Sequence, residues 1–232
     1  MEIREYEDLI REEITNVIQN IISKNKILNI SAKSRAAAEI SDWLETAFVD
    51  YVSDHKYIKN SEKAPKGETK NPWDARCFFE LSGHREEIWI DFKAFKLSGG
   101  DSNPDIGTPN KVIKLIENGG FYLLYAHVFY QEHKNGLKFI PDKNKIVKSY
   151  FLKDISPTFR RTSTNQLQVN ISAPPIYRTR EEFIDLLMEK LKEGLIRQLE
   201  KAQQELSEVD QKTRVLKEKN LVSQKAIEEN IE

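Results

Sequence analysis

The chain has 232 residues, of which 39% are hydrophobic and 31% charged, with a formal net charge of −1. This composition is typical of one globular domain, or of one domain with an appendage, and excludes disorder over most of the chain. The longest apolar stretch, Phe121 to Tyr130, has ten residues. Because a bilayer needs roughly 20, no membrane span is predicted.

Charge is unevenly distributed. Residues 31–180 hold 23 basic and 18 acidic side chains, a net charge of +5, whereas both ends of the chain are acidic. This middle segment permits an anionic partner such as nucleic acid without requiring one, and an uneven scatter of surface charge explains it equally well. The first thirty residues lack the apolar core of a secretory signal, so a cytoplasmic location is expected. A single cysteine, Cys77, excludes an intrachain disulfide and a Cys-rich zinc site.

Apolar residues at helical spacing predict two amphipathic helices near the N-terminus, over residues 3–23 and 34–52. The polar segment 60–72 has the composition of a loop, after a possible short strand at Tyr57 and Ile58. Two β-like runs then flank the dipeptide Ser82-Gly83, and this pattern predicts a β-hairpin over residues 76–95.

The second half of the chain predicts a crossover. Thr108 followed by Pro109 indicates the start of a helix that ends at Asn118-Gly119-Gly120, and residues 121–130 are typical of a buried central strand. Strand, helix and strand within so short a span predict an α/β fold with a mixed central β-sheet flanked by helices. An N-terminal helix and a long C-terminal helix from Thr179 complete the prediction.

The C-terminal helix carries apolar residues spaced mostly by three or four, from Ile184 to Leu216, as in an imperfect coiled-coil seam. We expect residues 1–180 to form the main domain and residues 181–232 a helical arm that dimerises or packs. An intrachain helical hairpin would bury the same seam, and the sequence does not choose between them.

The pattern that carries chemistry is Asp74 followed, after sixteen residues, by Asp91-Phe92-Lys93. An acid two residues before a lysine occurs five times in the chain, so the triplet alone predicts little. This copy differs because it lies on a strand with alternating apolar residues. A period of two places Asp91 and Lys93 on one face, opposite the apolar Ile88, Ile90 and Phe92.

The hairpin register brings Asp74 to the same place. If the turn is centred between Ser82 and Gly83, paired residue numbers sum to 165 and Asp74 lies opposite Asp91. Two facing carboxylates repel unless a cation sits between them, and oxygen ligands of this kind suit Mg²⁺. Lys93 could then reach a phosphate oxygen or the attacking water.

This arrangement resembles the PD-(D/E)XK nuclease superfamily, although Trp73 separates Pro72 from the acid. Four segments are similar to a type II restriction endonuclease: NPWDARCFFEL, EEIWIDFKAFK, DSNPDIGTPNKVIKLI and APPIYRTREEF. The resemblance implies Mg²⁺-dependent cleavage of double-stranded DNA that leaves a 5′-phosphate and a 3′-hydroxyl. It implies a metal held by Asp74 and Asp91, with Glu39 on the second helix as an assisting carboxylate and Asp42 and Glu45 as alternatives. Palindromic sites mirror two-fold protein symmetry, so a homodimer is expected.

Two polar segments are candidates for DNA contact. The loop after the second hairpin strand offers Ser102, Asn103 and Asn110, and a stretch without acids resembles the groove-reading segment of such enzymes. The candidates in that stretch are Arg160, Arg161, Asn165, Gln166, Gln168 and Asn170. Asn and Gln pair with adenine, and Arg enters narrow A·T minor grooves, so an A·T-rich target is favoured. A polar surface hairpin with no role in binding is the alternative.

Two other functions remain open at this point. A repair or resolvase nuclease of the same fold would cut according to DNA structure rather than base sequence. A non-catalytic coiled-coil interaction protein would carry Asp74, Asp91 and Lys93 as surface charges only, and would show no nuclease activity with Mg²⁺.

Overall fold

The computed structural model describes residues 1–31, 35–65, 73–97, 105–162, 166–170 and 173–228, with side chains described as far as residue 222. The helices in these ranges are α1 (Ile3–Lys24), α2 (Ala36–Tyr51), α3 (Pro109–Glu117) and α4 (Arg180–Glu228). The strands are β1 (Ile27–Leu28), β2 (Ile58–Lys63), β3 (Ala75–Leu81), β4 (His84–Lys96), β5 (Tyr122–His133), β6 (Gly136–Phe139), β7 (Val147–Phe151), β8 (Arg160–Arg161) and β9 (Leu167–Gln168). No helix in the described part is long and apolar enough to cross a membrane.

A seven-stranded mixed sheet organises the molecule, in the order β1-β6-β5-β4-β3-β2, with β7 paired to β5. Only β4 and β5 pair in parallel among the described strands, and α3 forms the crossover between them. The predicted α/β fold with a mixed central sheet, an N-terminal helix and a long C-terminal helix is confirmed.

Each face of the sheet is covered by helices. On one face, α1 and α2 pack against Ile88, Ile90 and Phe92 of β4 in a first hydrophobic core. On the other face, α3 and the first turns of α4 form a second core that includes Trp89 and Tyr125. The period of two along β4 therefore divides its side chains between two cores, and the strand is buried at the centre of the fold.

The β3–β4 hairpin has the predicted register. Its turn residues Ser82 and Gly83 have φ values of 50° and 82°, as a two-residue turn matched to the strand twist requires. Pairs such as Ala75 with Ile90 and Leu81 with His84 each sum to 165. A local turn thus fixes the register along the whole ribbon.

The loop predicted over residues 60–72 is wrong at its start, because β2 runs on to Lys63. This edge strand pairs with β3 through a register shift between Lys59 and Glu62, where Asn60 has a positive φ of 50°. The shift breaks the alternation of apolar and polar residues, and the strand is held by backbone pairing. Sequence patterning therefore carried no strand signal there.

The C-terminal helix α4 is one continuous helix, so the intrachain hairpin is wrong for the described residues. It starts at the predicted Thr179, with a capping box: the Thr179 N–H donates to Glu182 Oε2 (2.7 Å), and the Glu182 N–H donates to Thr179 Oγ1 (3.2 Å). Phe183 and Leu187 are buried in the second core. Beyond Gly194 the described side chains of α4 are almost all exposed.

Candidate active site

Asp74 lies at the point where β3 enters the hairpin. Its N–H donates to the Ile90 carbonyl (2.8 Å), and its Oδ2 accepts the N–H of Phe92 (2.7 Å). Asp74 is thus clamped to the backbone on both sides of Asp91. The two carboxyl groups are within hydrogen-bonding distance of each other.

Asp91 and Lys93 lie on β4, on the face opposite Ile88, Ile90 and Phe92. Asp91 is only 7% exposed, and the Lys93 Nζ donates to Asp91 Oδ1 at 2.8 Å. The Lys93 side chain retains 32% exposure, so its ammonium group is accessible from solvent. The central strand β4 therefore carries an acid and a base side by side, and its backbone holds the carboxylate of Asp74 next to them.

The electrostatics of this cluster are those of two acids sharing one base. The pKa of Asp91 is raised to about 7, mainly by burial; the charge of Lys93 opposes this shift and the charge of Asp74 adds to it. Burial also raises the pKa of Asp74, against the charge of Lys93 and the Phe92 N–H. For Lys93, burial lowers the pKa, but attraction to Asp91 and Asp74 outweighs it and the net shift is upward.

The donor set fits a hard divalent cation. A second positive charge between Asp74 and Asp91 would relieve their repulsion and offset the burial of both carboxylates. Within the described ranges, no three His, Cys, Asp or Glu side chains converge as a ready metal cage. Two carboxylates are nevertheless what Mg²⁺ commonly takes from a protein, since it retains waters and binds substrate phosphate oxygens.

Helix α2 packs against this part of β4. The Ser41 hydroxyl donates to the Phe92 carbonyl (3.0 Å), which fixes the helix beside the strand that carries the acids. Asp42 follows at once, and its charge contributes to the raised pKa of Asp74. Glu39 lies almost one turn earlier and is half-buried, and Glu45 lies almost one turn later. The charge of Asp42 therefore reaches Asp74.

The segments predicted to contact DNA are brought together. Arg160 and Arg161 form β8, which pairs with Leu167 and Gln168 of β9, and Arg160 Nη2 donates to Gln168 Oε1 (3.1 Å). This small hairpin is bonded to the chain before α3: the Ile106 N–H donates to the Leu167 carbonyl (2.8 Å), and the Leu167 N–H donates to that of Gly107 (2.8 Å).

Three of the remaining predicted DNA contacts are close in the chain to this small sheet or to the segment bonded to it. Gln166 bonds through its N–H to Thr162 Oγ1 (3.0 Å), Asn170 follows β9, and exposed Asn110 opens α3 three residues after Gly107. Ser102, Asn103 and Asn165 lie outside the described residues. The structure therefore joins two segments that are more than fifty residues apart in the chain, which no local sequence pattern indicated.

Comparison with known families bears on the same residues. A family model matches residues 2–209; the family is named SwaI-like and described as SwaI restriction endonuclease. The chain belongs to the SwaI-like family of restriction endonucleases. No curated protein matches the chain.

Membership of the SwaI-like family confirms the resemblance to a type II restriction endonuclease, and to SwaI in particular, that was drawn from the four segments. The family makes the protein a nuclease whose substrate is DNA. The match ends at residue 209, and residues 210–228 of α4 lie beyond it.

Strand β5 adds side chains that the sequence did not assign to the SwaI-like site. Tyr125 pairs with Asp91 and His127 with Lys93 in the parallel β4–β5 ladder. His127 is buried, as expected for a core residue, but its Nε2 has no hydrogen-bond partner among the described residues. Burial, followed by the charges of Lys93 and Lys148, lowers the pKa of His127 to about 3, so the ring is neutral.

A cavity of about 440 Å³ opens beside these residues. His127 and Tyr150 line it together with the basic side chains Arg11, Lys143, Lys145 and Lys148. His127 could have been linked to Lys93 only from the register of a parallel pair. That register is set by the α3 crossover, so it leaves no local signal in the sequence.

Proposed function

We propose that this restriction endonuclease is a Mg²⁺-dependent enzyme of the PD-(D/E)XK superfamily that hydrolyses double-stranded DNA at a specific site. Asp74 and Asp91 hold the metal, and Lys93 acts on the reacting phosphate. The observation that carries the proposal is the convergence of these three side chains on one face of the β3–β4 hairpin, within a chain of the SwaI-like family.

Each residue has a separate task in this mechanism. Asp74 is held by the Phe92 N–H and Asp91 by the Lys93 ammonium, so both carboxylates are oriented before any ligand binds. When bound, Mg²⁺ would polarise the attacking water and neutralise charge on the scissile phosphate. The partly exposed Lys93 donates to a phosphate oxygen and stabilises the charge that develops there. In-line attack would leave a 5′-phosphate and a 3′-hydroxyl, as the family resemblance implies.

The assisting carboxylate is assigned to Glu39, with Asp42 and Glu45 as alternatives on the same helix. The effect of the Asp42 charge on the pKa of Asp74 favours Asp42 among them. Cleavage rates of Glu39→Gln, Asp42→Asn and Glu45→Gln, measured over a range of Mg²⁺ concentrations, decide the assignment. The assisting residue is the one whose loss raises the Mg²⁺ concentration needed for half-maximal rate.

DNA recognition is assigned to the small sheet of β8 and β9 and to the chain that precedes α3. The proposed contacts are Ser102, Asn103, Asn110, Arg160, Arg161, Asn165, Gln166, Gln168 and Asn170. Amide side chains suited to adenine, together with two arginines, favour an A·T-rich palindrome. A palindrome in turn favours a homodimer, with residues 1–180 as the cleavage domain and 181–232 as the arm. An enzyme that cleaves intruding DNA acts in the cytoplasm, which is the location proposed for this one.

The test is digestion of a plasmid of known sequence by the purified protein with Mg²⁺, with Ca²⁺ and with a chelator. Discrete fragments with Mg²⁺ alone, bearing ligatable 5′-phosphates and mapping to one sequence, support the proposal. A smear, or cuts that follow branches and mismatches, indicates the structure-specific nuclease. If the folded protein does not cleave DNA with any divalent metal, the result indicates the non-catalytic coiled-coil interaction protein.

A matched pair of variants connects activity to the site. Asp91→Asn removes a metal ligand and is expected to abolish cleavage while DNA binding in Ca²⁺ persists. Glu87→Gln, on the same strand but bonded to Arg76, is the control and should cut at the wild-type rate. Equal activity of the two variants would overturn the assignment of Asp91.

A further inference from the structure

The distal part of α4 exposes a continuous apolar row. Leu199, Leu206 and Leu216 are 60–66% exposed, and Leu195 and Val209 are also more than half exposed. Isolated exposed leucines are ordinary on protein surfaces, but a row of them along one side of a single helix is not. No element in the described part of the chain covers this row.

The spacing of the row is that of a heptad seam. From Leu195 to Asn220, steps of four and three residues alternate without interruption, which is the a/d pattern of a two-stranded coiled coil. The seam positions are Leu195, Leu199, Ala202, Leu206, Val209, Thr213, Leu216 and Asn220. Thr213 and Asn220 are the polar members of the seam.

This seam is separate from the surface by which α4 packs on its own sheet. Phe183, Leu187 and Leu191 face the second core, whereas Leu199 and Leu206 lie roughly 100–120° around the helix axis from Leu187. The docked stripe ends where the exposed one begins. The arm therefore presents its seam away from the body to which it is attached.

We propose that the seam binds the same seam of a second copy of this chain, in antiparallel orientation, with the two-fold axis between residues 207 and 208. Leu199 then packs against Leu216 of the partner subunit, and Leu206 packs against Val209 of the partner subunit. A self-complementary pair of this kind closes as a dimer. The inference rests on the homodimer in the proposed function and specifies the surface and the direction of pairing.

Charges beside the seam select the direction. In a parallel, in-register pair, Glu205 would face the partner's Asp210 and Lys212 would face the partner's Lys217, so like charges would meet twice on each side. In the antiparallel pair, Glu205 faces the partner's Lys212, twice by symmetry. Two other antiparallel registers differ from this one by a shift of one heptad. In one of them Glu205 faces the partner's Glu205, and in the other Lys212 faces the partner's Lys212. The proposed register is the one of these that brings no like charges together.

The first experiment is sedimentation of the full chain without DNA or metal, so that its result does not depend on nuclease activity. Wild-type protein should be a dimer, and Leu206→Glu should be a monomer with unchanged near-ultraviolet circular dichroism. Glu205→Lys should raise the dimer dissociation constant about tenfold, and adding Lys212→Glu should restore it. Glu208→Lys, which lies off the seam, is the matched control and should leave the constant within about twofold of wild type.

Glu205→Lys also distinguishes antiparallel from parallel pairing, because it changes the dissociation constant in opposite directions in the two arrangements. In a parallel pair Glu205→Lys would remove a repulsion and tighten the dimer, so a lower dissociation constant would overturn the antiparallel arrangement. A wild-type chain that stays monomeric at high concentration would overturn the interface itself. Neither result would contradict site-specific cleavage, because sedimentation without DNA or metal measures association of the chains and not nuclease activity.

Cysteine cross-linking gives an independent measure. Leu199→Cys protein mixed with Leu216→Cys protein should form a disulfide-linked heterodimer under mild oxidation, whereas each variant alone should not. In the antiparallel pair the two copies of residue 199 are about 25 Å apart along the axis, too far for a disulfide. Native Cys77 is buried and provides the background level. Cross-linking of each variant with itself, and not of the mixture, would contradict the proposal.

Discussion

The sheet body and the distal arm of α4 depart from ordinary burial in opposite ways. The body places charged groups in its interior: Asp91 bonds to Lys93 at the centre of the sheet, and the fully buried Lys153 pairs with Glu7 (2.8 Å). The arm places leucines in solvent. Buried charge is expensive unless partners are supplied, and an exposed apolar row is unfavourable unless something covers it.

The two regions therefore require different kinds of partner. In the body, Lys153 has Glu7, Asp154 and the Arg178 carbonyl as partners and its role is structural, whereas Asp74 and Asp91 have one base between them, which favours binding of a cation. In the arm, the missing partner is a second apolar surface. The body is therefore expected to bind a cation, and the arm is expected to bind an apolar surface.

The largest effect should come from the body's shared base. Lys93→Met keeps the stem of the side chain but removes its ammonium group, so we expect the cleavage rate to fall 100-fold or more. Single-turnover plasmid cleavage measures it. Lys96→Met, on the same strand and paired with Glu132 at the surface, is the control and should cut within about threefold of wild type.

Two leucines of α4 compare the docked and exposed parts directly. Leu187→Ala should lower the free energy of unfolding by about 2–4 kcal/mol at any protein concentration, because it leaves a cavity in the second core. Leu206→Ala should reduce stability only where wild-type protein is dimeric. Urea denaturation at two protein concentrations separates these effects. An equal loss for Leu206→Ala in dilute protein would mean that the arm packs on its own body.

The unpartnered His127 predicts a pH dependence. Below pH 6.5 the unfolded chain protonates this imidazole, whereas burial keeps the folded form neutral down to a pKa of about 3. Its contribution to stability is therefore complete above pH 6.5 and is lost as the pH falls. We expect wild type to lose about 2 kcal/mol more than His127→Phe between pH 6.5 and pH 5.

Urea midpoints across this range are the measurement for His127. The control is His133→Phe, at the half-exposed end of the same strand, which should keep the wild-type slope. A His127→Phe variant with the same pH slope as wild type would show that the ring is protonated in the folded protein.

The smallest effect concerns Gly194, where the docked part of α4 meets β8. Alanine in a helix interior normally stabilises by about 1 kcal/mol relative to glycine. A Cβ here would lie 2.7 Å from Cδ of Arg161, so Gly194→Ala alone should gain less than about half of that. Measured in the Arg161→Ala background, the same change should gain more, because only the Cβ of residue 161, at 3.1 Å, then remains close to the new methyl group. Equal gains in both backgrounds would show that Arg161 moves away freely.

Local features of the sequence predicted a large part of the fold. The Ser82-Gly83 turn set the hairpin register, and the period of two on β4 set the faces, so the places of Asp74, Asp91 and Lys93 followed from neighbouring residues. The amphipathic pattern likewise predicted α1, whose isoleucines from Ile10 to Ile22 are buried. The chemical roles of these acids and of Lys93 remain predictions.

What the sequence did not predict depends on distant pairing. The neighbours Tyr125 and His127 result from a parallel register set by a crossover, and strand β6 closes on β5 and β1 through short segments without strong patterning. The bonds between Gly107 and Leu167 join two loops far apart in the chain. Such contacts are chosen by the packing of the whole molecule, so windows of ten or twenty residues do not contain them.

The contact between α4 and β8 has a geometric consequence. Arg197 Nη2 donates to the Arg161 carbonyl (3.2 Å), and α4 continues from there without a break. If copies join near residue 207, a helical segment of about 16 Å connects the contact with β8 to the symmetry axis. Its length would then act as a ruler for the distance between half-sites. Inserting one full heptad would change that spacing while preserving the orientation of the two halves.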